Sequence, residues 1–293
     1  MFYKNTATIA FAGLTIRFNF PNVTNLPEEL TSFLCESVLQ PDVTYEIQLL
    51  EEPLCLENLT AVHNSGIKIY PYKGSWLRVY PAITADDGCQ VALFLCSDNK
   101  YILYYPASRW DFYADELHIL HLIAIEQVLI RRNAFLLHSS LVQLNGQGVL
   151  FSGPSCIGKS TQASLWQKHL DADILNGDRC IIRKMPDGFY GCGSPWAGTS
   201  KIYRRELVPL KGIFLLKQAP ENFIRRVGAD GFARLFNQSI VNTWDTAFVE
   251  KLSSLIIEVL TEIPVYELSC RPDEDSVRLA YHTLFEGGLS YGT

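Results

Sequence analysis

The chain has 293 residues, of which 48% are hydrophobic, 12% aromatic and 19% charged, a composition that excludes a disordered chain, a collagen-like repeat and a coiled coil. With 25 Lys+Arg against 31 Asp+Glu the net charge is −6, so the molecule as a whole repels a nucleic-acid backbone and nucleic acid is not an expected partner. At about 100–200 residues per domain, this length suggests one large domain or two smaller ones, and a change of pattern near residue 110 favours two.

The stretch Ala7–Ile16, behind Lys4, has the flank of a targeting segment. However, Leu14, Ile16, Phe18 and Phe20 alternate with Thr15, Arg17 and Asn19, the period of a half-buried strand, which argues against a signal peptide. No uncharged apolar run reaches the roughly 18–20 residues that cross a bilayer. The eight cysteines include no C-x-x-C pair, so neither a zinc cage nor a disulfide framework is indicated. The expectation is a cytoplasmic protein with reduced thiols and no membrane partner.

A helix is expected over Pro27–Val38, where proline sits near the start and Glu28 and Glu29 suit the positive end of the helix dipole. Period-two alternation continues at Val43, Tyr45, Ile47 and Leu49, and strand-like runs follow at Ile67–Tyr72, Trp76–Tyr80, Val91–Cys96 and Tyr101–Tyr105. Residues 1–108 therefore read as a β-rich domain. Its aromatic residues (Tyr70, Tyr72, Trp76, Tyr80, Tyr101, Tyr104, Tyr105, Trp110, Phe112 and Tyr113) suit a ligand platform, although strand propensity explains them more cheaply.

Near Trp110 the pattern changes. Asp115–Arg131 is apolar almost all round and ends in Arg131 and Arg132, as a buried helix with cations at its negative end would. Two strand-like runs, Phe135–Val142 and Gly148–Ser152, are joined by Asn145-Gly146, a strong hairpin signal. A helix from Lys159, strands at Ile174, Cys180–Arg183 and Gly212–Leu216, a helix over Thr246–Leu260, a strand at Val265–Leu268 and a helix over Asp273–Phe285 complete the chain. Such alternation argues for an α/β domain over residues 109–293.

Gly153-Pro154-Ser155-Cys156-Ile157-Gly158-Lys159-Ser160 satisfies G-x-x-x-x-G-K-[ST], with the strand-like Val149–Ser152 before it and a helix-compatible run from Thr161 after it. Glycines let the backbone wrap a phosphate, N–H groups and the helix N-terminus supply positive field, and Lys159 adds a point charge at the β- and γ-phosphates. Ser160 is the candidate ligand for Mg²⁺. Downstream, Asp173–Arg179 reads as a short strand ending in Asp178, from which a carboxylate can reach either Mg²⁺ or a substrate hydroxyl. A solvated N-G-D turn is the plainer alternative.

From Leu137 to Arg179 the order of His138, hairpin, phosphate loop and a short strand with Asp178-Arg179 resembles the catalytic domain of HPr kinase/phosphorylase. The resemblance extends to related kinases of peptide serines and, more distantly, to phosphoenolpyruvate carboxykinases. It implies an α/β P-loop kinase domain of the HPr kinase type, here preceded by a β-rich α+β N-terminal domain. Under the resemblance, Gly153 to Thr161 bind the nucleotide, Lys159 contacts its phosphates, Ser160 and Asp178 hold the metal, and His138 and Asp178 take part in catalysis. The implied cofactors are ATP and Mg²⁺. The chain departs from the family in two places: Gly177 stands where the first aspartate of an acidic pair is found, and Cys156 stands where the loop usually has glycine. A segment of the family beyond this point does not align, which leaves Lys201, Arg204 and Arg205 between a catalytic role and solvated loop cations.

The resulting expectation is a kinase that transfers the γ-phosphoryl group to a hydroxyl, with a serine of a peptide or small protein as acceptor. Residues 1–108 would recognise that acceptor or position the catalytic half, and assembly as a homo-oligomer is compatible with the sequence. A nucleotide-binding regulator without transfer activity and a small-molecule kinase are the alternatives.

Overall fold

The computed structural model describes residues 3–26, 28–36, 38–80, 91–110 and 118–287. The chain is mixed α/β and forms two compact units, Met1–Val128 and Leu129–Thr293, each built on an eight-stranded sheet.

The first sheet runs β1 (Tyr3–Phe11), β2 (Leu14–Asn25), β3 (Val43–Leu50), β8 (Lys100–Pro106), β7 (Val91–Ser97), β6 (Ser75–Tyr80), β5 (Ile67–Tyr72) and β4 (His63–Ser65). Pairing is antiparallel except where β3 joins β2 and β8. The alternation in β2 is that of a sheet with one dry face: Leu14, Ile16 and Phe18 are buried and Thr15, Arg17 and Asn19 are half-buried. Phe18, Tyr45 and Tyr101 lie opposite one another in register, and their rings stack with centroids 5.3 and 5.0 Å apart. Tyr70, Tyr101, Tyr105 and Trp110 are buried in the same way, so much of the aromatic density is core. Phe112 and Tyr113 lie outside the described residues.

Of the helix expected over Pro27–Val38, only α1 (Glu28–Thr31) forms; positions 27 and 37 lie outside the described residues. Beyond it the chain turns to cover the edge of β1, with Ala10 N donating to Phe33 O and Cys35 N to Thr8 O, both at 2.9 Å. Those edge bonds engage the backbone that a longer helix would need. The helix expected over Asp115–Arg131 is split into α2 (His118–Leu122) and α3 (Ile125–Arg131), because Ala124 takes a left-handed φ of 47°; residues 115–117 lie outside the described set. The first unit continues past the change of pattern near residue 110 because its strands hold these segments. Tyr45 Oη donates to Ile123 O at 2.7 Å, Tyr80 Oη to Leu122 O at 2.8 Å, and Arg78 pairs with Glu126 at 2.8 Å.

In the second unit β9 (Ala134–Leu144) and β10 (Gln147–Ser152) form the expected hairpin, with Asn145 and Gly146 both at positive φ. β11 (Asp173–Asn176) and β12 (Arg179–Met185) both pair with β9, and β12 pairs with β13 (Gly188–Cys192). The long β14 (Leu207–Gln218) pairs with β13 through its first residues, then runs parallel to β10 and to β16 (Val265–Cys270). The path β10-β9-β12-β13-β14 thereby closes on itself. β15 (Phe223–Arg226) forms the outer edge beyond β16.

The continuous apolar run Val149-Leu150-Phe151 follows from burial on both faces. Leu150 packs with Ile213, Leu215 and the residues Leu252, Ile256 and Val259 of α6 (Thr246–Glu262), while α5 (Asp230–Gln238) contributes Leu235 to the same core. Val149 and Phe151 face the other way, towards Ala163 and Trp166 of α4 (Lys159–Leu170) and Val277, Ala280 and Leu284 of α7 (Glu274–Phe285). Trp166 is fully buried, with its ring 5.4 Å from Phe151; truncating such a residue to alanine costs about 3–5 kcal/mol. Asp273 caps α7 by accepting from Ser276 N at 3.0 Å. Among the described residues no helix is long and apolar enough to cross a membrane.

Candidate functional site

β10 delivers the chain to a loop, Gly153 to Gly158, that opens into α4 at Lys159. The loop takes left-handed or similarly restricted backbone at Gly153 (φ 149°), Cys156 (φ 60°) and Gly158 (φ 113°). Glycine supplies two of these at no steric cost, whereas Cys156 holds the third with a side chain. The first intrahelical bond of α4 runs from Gln162 N to Gly158 O at 2.9 Å, so the N–H groups of Lys159, Ser160 and Thr161 have no intrahelical acceptor. The side chains of Ser160 and Thr161 are exposed there. Lys159 is only 7% exposed, and its Nζ donates to Gly153 O at 3.1 Å and Pro154 O at 3.0 Å. Burial pushes the lysine pKa down, against opposing fields from Asp178 and Cys156.

His138 and Asp178 meet beside this loop because of strand register. On β9, His138 lies opposite Arg179 of β12, and its neighbour Ser139 lies opposite Ser152, the last residue before the loop. Ser152 Oγ donates to His138 O at 2.9 Å, and Ser139 N to Asp178 O at 2.9 Å. His138 Nε2 then sits 3.1 Å from Asp178 Oδ1, with Arg179 Nε 3.8 Å from Oδ2. The hydrogen bond from His138 holds the Asp178 carboxyl below its ordinary value, and the charges of His138, Arg179 and Lys159 outweigh the opposing effect of burial.

The turn that presents Asp178 is built around Asn176, which is fully buried. Its Oδ1 accepts from Asp178 N and Arg179 N, both at 3.0 Å, and its Nδ2 donates to Ser194 O at 2.9 Å and Trp196 O at 3.3 Å. Ser140 Oγ donates to Gly177 O at 3.1 Å and completes the support. Sequence reading missed Asn176, Ser140 and Ser152; the available signal was a polar residue ending the apolar run Ile174-Leu175.

Gly177 is glycine for want of space. A Cβ built there lies 2.1 Å from Ser200 Oγ and 2.6 Å from Ser200 Cβ. Ser200 belongs to a 3₁₀ turn, Gly198–Ser200, whose first residue has φ 57° and would bring a Cβ within 2.8 Å of Asp178 Cγ. The turn therefore rests against both Gly177 and the Asp178 carboxylate. Of the three loop cations, Lys201 is exposed at φ 50°, Arg204 is paired with Asp173 at 3.0 Å, and Arg205 is exposed.

Against the Gly153–Gly158 loop lies a cleft of about 360 Å³, lined by Cys156, Ile157 and Gly158 from the loop, Gln218 at the end of β14, and Arg271 and Pro272 after β16. It opens at the carboxyl ends of parallel strands, the place where α/β sheets receive ligands. Among the described residues no group of three or more His, Cys, Asp or Glu is disposed to hold a metal. The donors offered by the site are hard oxygens, Ser160 Oγ and the Asp178 carboxylate, and a set this small suits Mg²⁺, which takes the rest of its octahedron from phosphate oxygens and water.

Residues 111–271, just over half of the chain, match the family described as "SynChlorMet cassette protein ScmC". No curated protein matches. Among solved structures, the Hpr(Ser) kinase/phosphatase from Coxiella burnetii aligns with 13% identity over 52% of this chain and 88% of that one, at a TM-score of 0.30.

Proposed function

The chain belongs to the SynChlorMet cassette protein ScmC family, and from its site we propose that it is an ATP- and Mg²⁺-dependent kinase that transfers the γ-phosphoryl group to a hydroxyl, most naturally a serine of a peptide or small protein. One observation carries the reading: a glycine loop with a buried lysine at a helix N-terminus stands beside a carboxylate hydrogen-bonded to a histidine. A phosphate-binding loop alone binds; the adjacent Asp178–His138 pair adds a group able to take a proton from an acceptor.

Phosphoryl transfer asks the protein mainly to position groups and stabilise charge. Two of the three ammonium N–H donors of Lys159 are engaged by Gly153 O and Pro154 O, which leaves the third for a phosphate oxygen. The first-turn N–H groups of α4 add donors for the same phosphates. Magnesium, with Ser160 Oγ and the Asp178 carboxylate as its protein donors, supplies charge neutralisation at the phosphates when bound. Asp178 accepts the hydroxyl proton, and His138 fixes the carboxylate by its bond to Oδ1. The cleft lined by Gln218 and Arg271 has room for the nucleoside.

The acceptor class rests on the resemblance and on the size of the first unit, since a metabolite needs only a pocket beside the phosphate whereas an extended peptide can use a sheet. Incubating the full chain with labelled ATP and a size-fractionated extract tests it: label on a serine of a peptide supports the proposal, and label confined to metabolites identifies a small-molecule kinase instead. A second reading, a nucleotide-binding regulator without transfer, is favoured by the turn seated against Asp178. ATP binding with no acceptor-dependent release of ADP would select it.

A further inference from the structure

The Gly198–Ser200 turn lays a hydroxyl, that of Ser200, against Gly177, the residue before Asp178, and a glycine against the Asp178 carboxylate itself. Gly177 has no side chain because Ser200 fills the space, with 2.1 Å between Ser200 Oγ and the position of a Cβ. Gly198 lies against the Asp178 carboxylate on the same turn, within 3.0 Å of Oδ2 from its own Cβ position. Two independent close approaches therefore seat the turn on the Gly177-Asp178 peptide. The Ser200 hydroxyl is held within its turn, donating to Ala197 O at 2.7 Å and accepting from Ile202 N at 3.3 Å. Both bonds are local, so rotation of the side chain or a small shift of the turn frees the oxygen. Lys201 follows at a left-handed φ of 50° with its side chain exposed, and Arg179 Nε lies 3.8 Å from Asp178 Oδ2.

We propose that Ser200 is an acceptor for the chain's own phosphoryl transfer, its hydroxyl standing in place of an external serine beside Asp178. This rests on the kinase reading above. In the step, Ser200 Oγ forms a bond to the γ-phosphorus of the nucleoside triphosphate while the bond from that phosphorus to the β,γ-bridging oxygen breaks. The nucleoside diphosphate leaves with the bridging oxygen, and the hydroxyl proton passes to the Asp178 carboxylate. The product places a phosphate of about −1.5 to −2 charge next to Asp178. Asp178 then releases the proton to water, and repulsion between its carboxylate and the new phosphate, with Lys201 exposed to receive the phosphate, drives the turn off Gly177 and opens the acceptor face to a substrate.

The test uses the full chain incubated with Mg-ATP, followed by intact mass and by peptide mapping across residues 193–205, with ATP affinity measured by calorimetry on the same preparation. The expected result is one phosphoryl group per chain, on Ser200, added at a first-order rate independent of protein concentration. Ser200→Ala should bind ATP as the wild type does and lose the label, and Asp178→Asn should lose it as well. Binding of Mg-ATP without label on Ser200, or label that persists in Ser200→Ala, overturns this inference and leaves the kinase reading in place. A rate proportional to protein concentration also overturns it, since the seating is intramolecular. Failure to bind Mg-ATP at all removes both.

Discussion

Placing a methyl group on Gly177 tests the arrangement of the turn independently of any activity. The built Cβ meets Ser200 Oγ at 2.1 Å and Ser200 Cβ at 2.6 Å, and its next neighbour, Ala197 O, stands at an ordinary 3.8 Å. Ser200 therefore has to move for Gly177→Ala to be accommodated, and overpacking of this kind costs about 1–3 kcal/mol. Removing the hydroxyl in Ser200→Ala leaves the 2.6 Å contact with Cβ, so most of the penalty should persist there. Ser200→Gly removes both contacts, and Gly177→Ala on that background should fall within about 0.5 kcal/mol of neutral. The double-mutant cycle between Gly177→Ala and Ser200→Gly should thus show a coupling of roughly 1–3 kcal/mol. Chemical denaturation of the four proteins, followed through the buried Trp166 of the second unit, supplies the numbers. A neutral Gly177→Ala, or a penalty unchanged by Ser200→Gly, would refute the seating of the turn and with it the physical account of why an aspartate is absent at this position.

Asp178→Asn keeps an acceptor for His138 but loses the charge, so ATP binding should stay largely intact while transfer falls by a factor on the order of 10²–10⁴, read in single-turnover assays. Asn176→Ala deprives two backbone N–H groups of their acceptor and should cost about 2–6 kcal/mol, from roughly 1–3 for each group left unpaired; a shift below 1 kcal/mol would count against its role. Alkylation of Cys156, which is exposed and lines the cleft, should slow as Mg-ATP is added, and an unchanged rate at saturating nucleotide would place the nucleotide elsewhere. Burial pushes the Glu267 carboxyl up, but Arg225 and Arg234, at 3.1 and 2.6 Å, outweigh it and hold the pKa below the ordinary value. A carboxyl depressed in the folded state contributes stability that is full above its unfolded pKa and is lost as pH falls through the folded one. Glu267→Gln should therefore flatten the acid limb of the stability profile while costing about 1.5–3 kcal/mol at neutral pH.

Much of the strand, glycine loop and helix around Lys159 was legible in the sequence because its signals are local. The strand into it, its glycines, and the helix starting at Lys159 all lie within Val149 to Leu170 and depend on neighbours in the chain. The meeting of His138 with Asp178 is of another kind, since 40 positions separate them and only the register of β9 against β12 brings them together; the sequence pointed to it through resemblance alone. Asn176 stayed hidden because a polar residue at the end of an apolar strand has no meaning until its hydrogen-bond partners are in place. Where local preference and tertiary demand disagreed, the latter prevailed. The helix expected over Pro27–Val38 stops at Thr31 so that residues 33 and 35 can bond to β1, and the one expected over Asp115–Arg131 breaks at Ala124. The short strands β13 and β15 carry too few residues for a period to register.

The central claim is that the loop around Lys159 receives the phosphates of a nucleoside triphosphate. Calorimetric titration of the full chain with Mg-ATP, repeated with Lys159→Met, tests it most directly. One charge-assisted hydrogen bond from the remaining N–H donor is worth about 1.5–3 kcal/mol, so the variant should bind roughly 10- to 150-fold more weakly than the wild type while keeping its fold. Absence of binding by the wild type, or equal affinity in a folded Lys159→Met, would contradict the account.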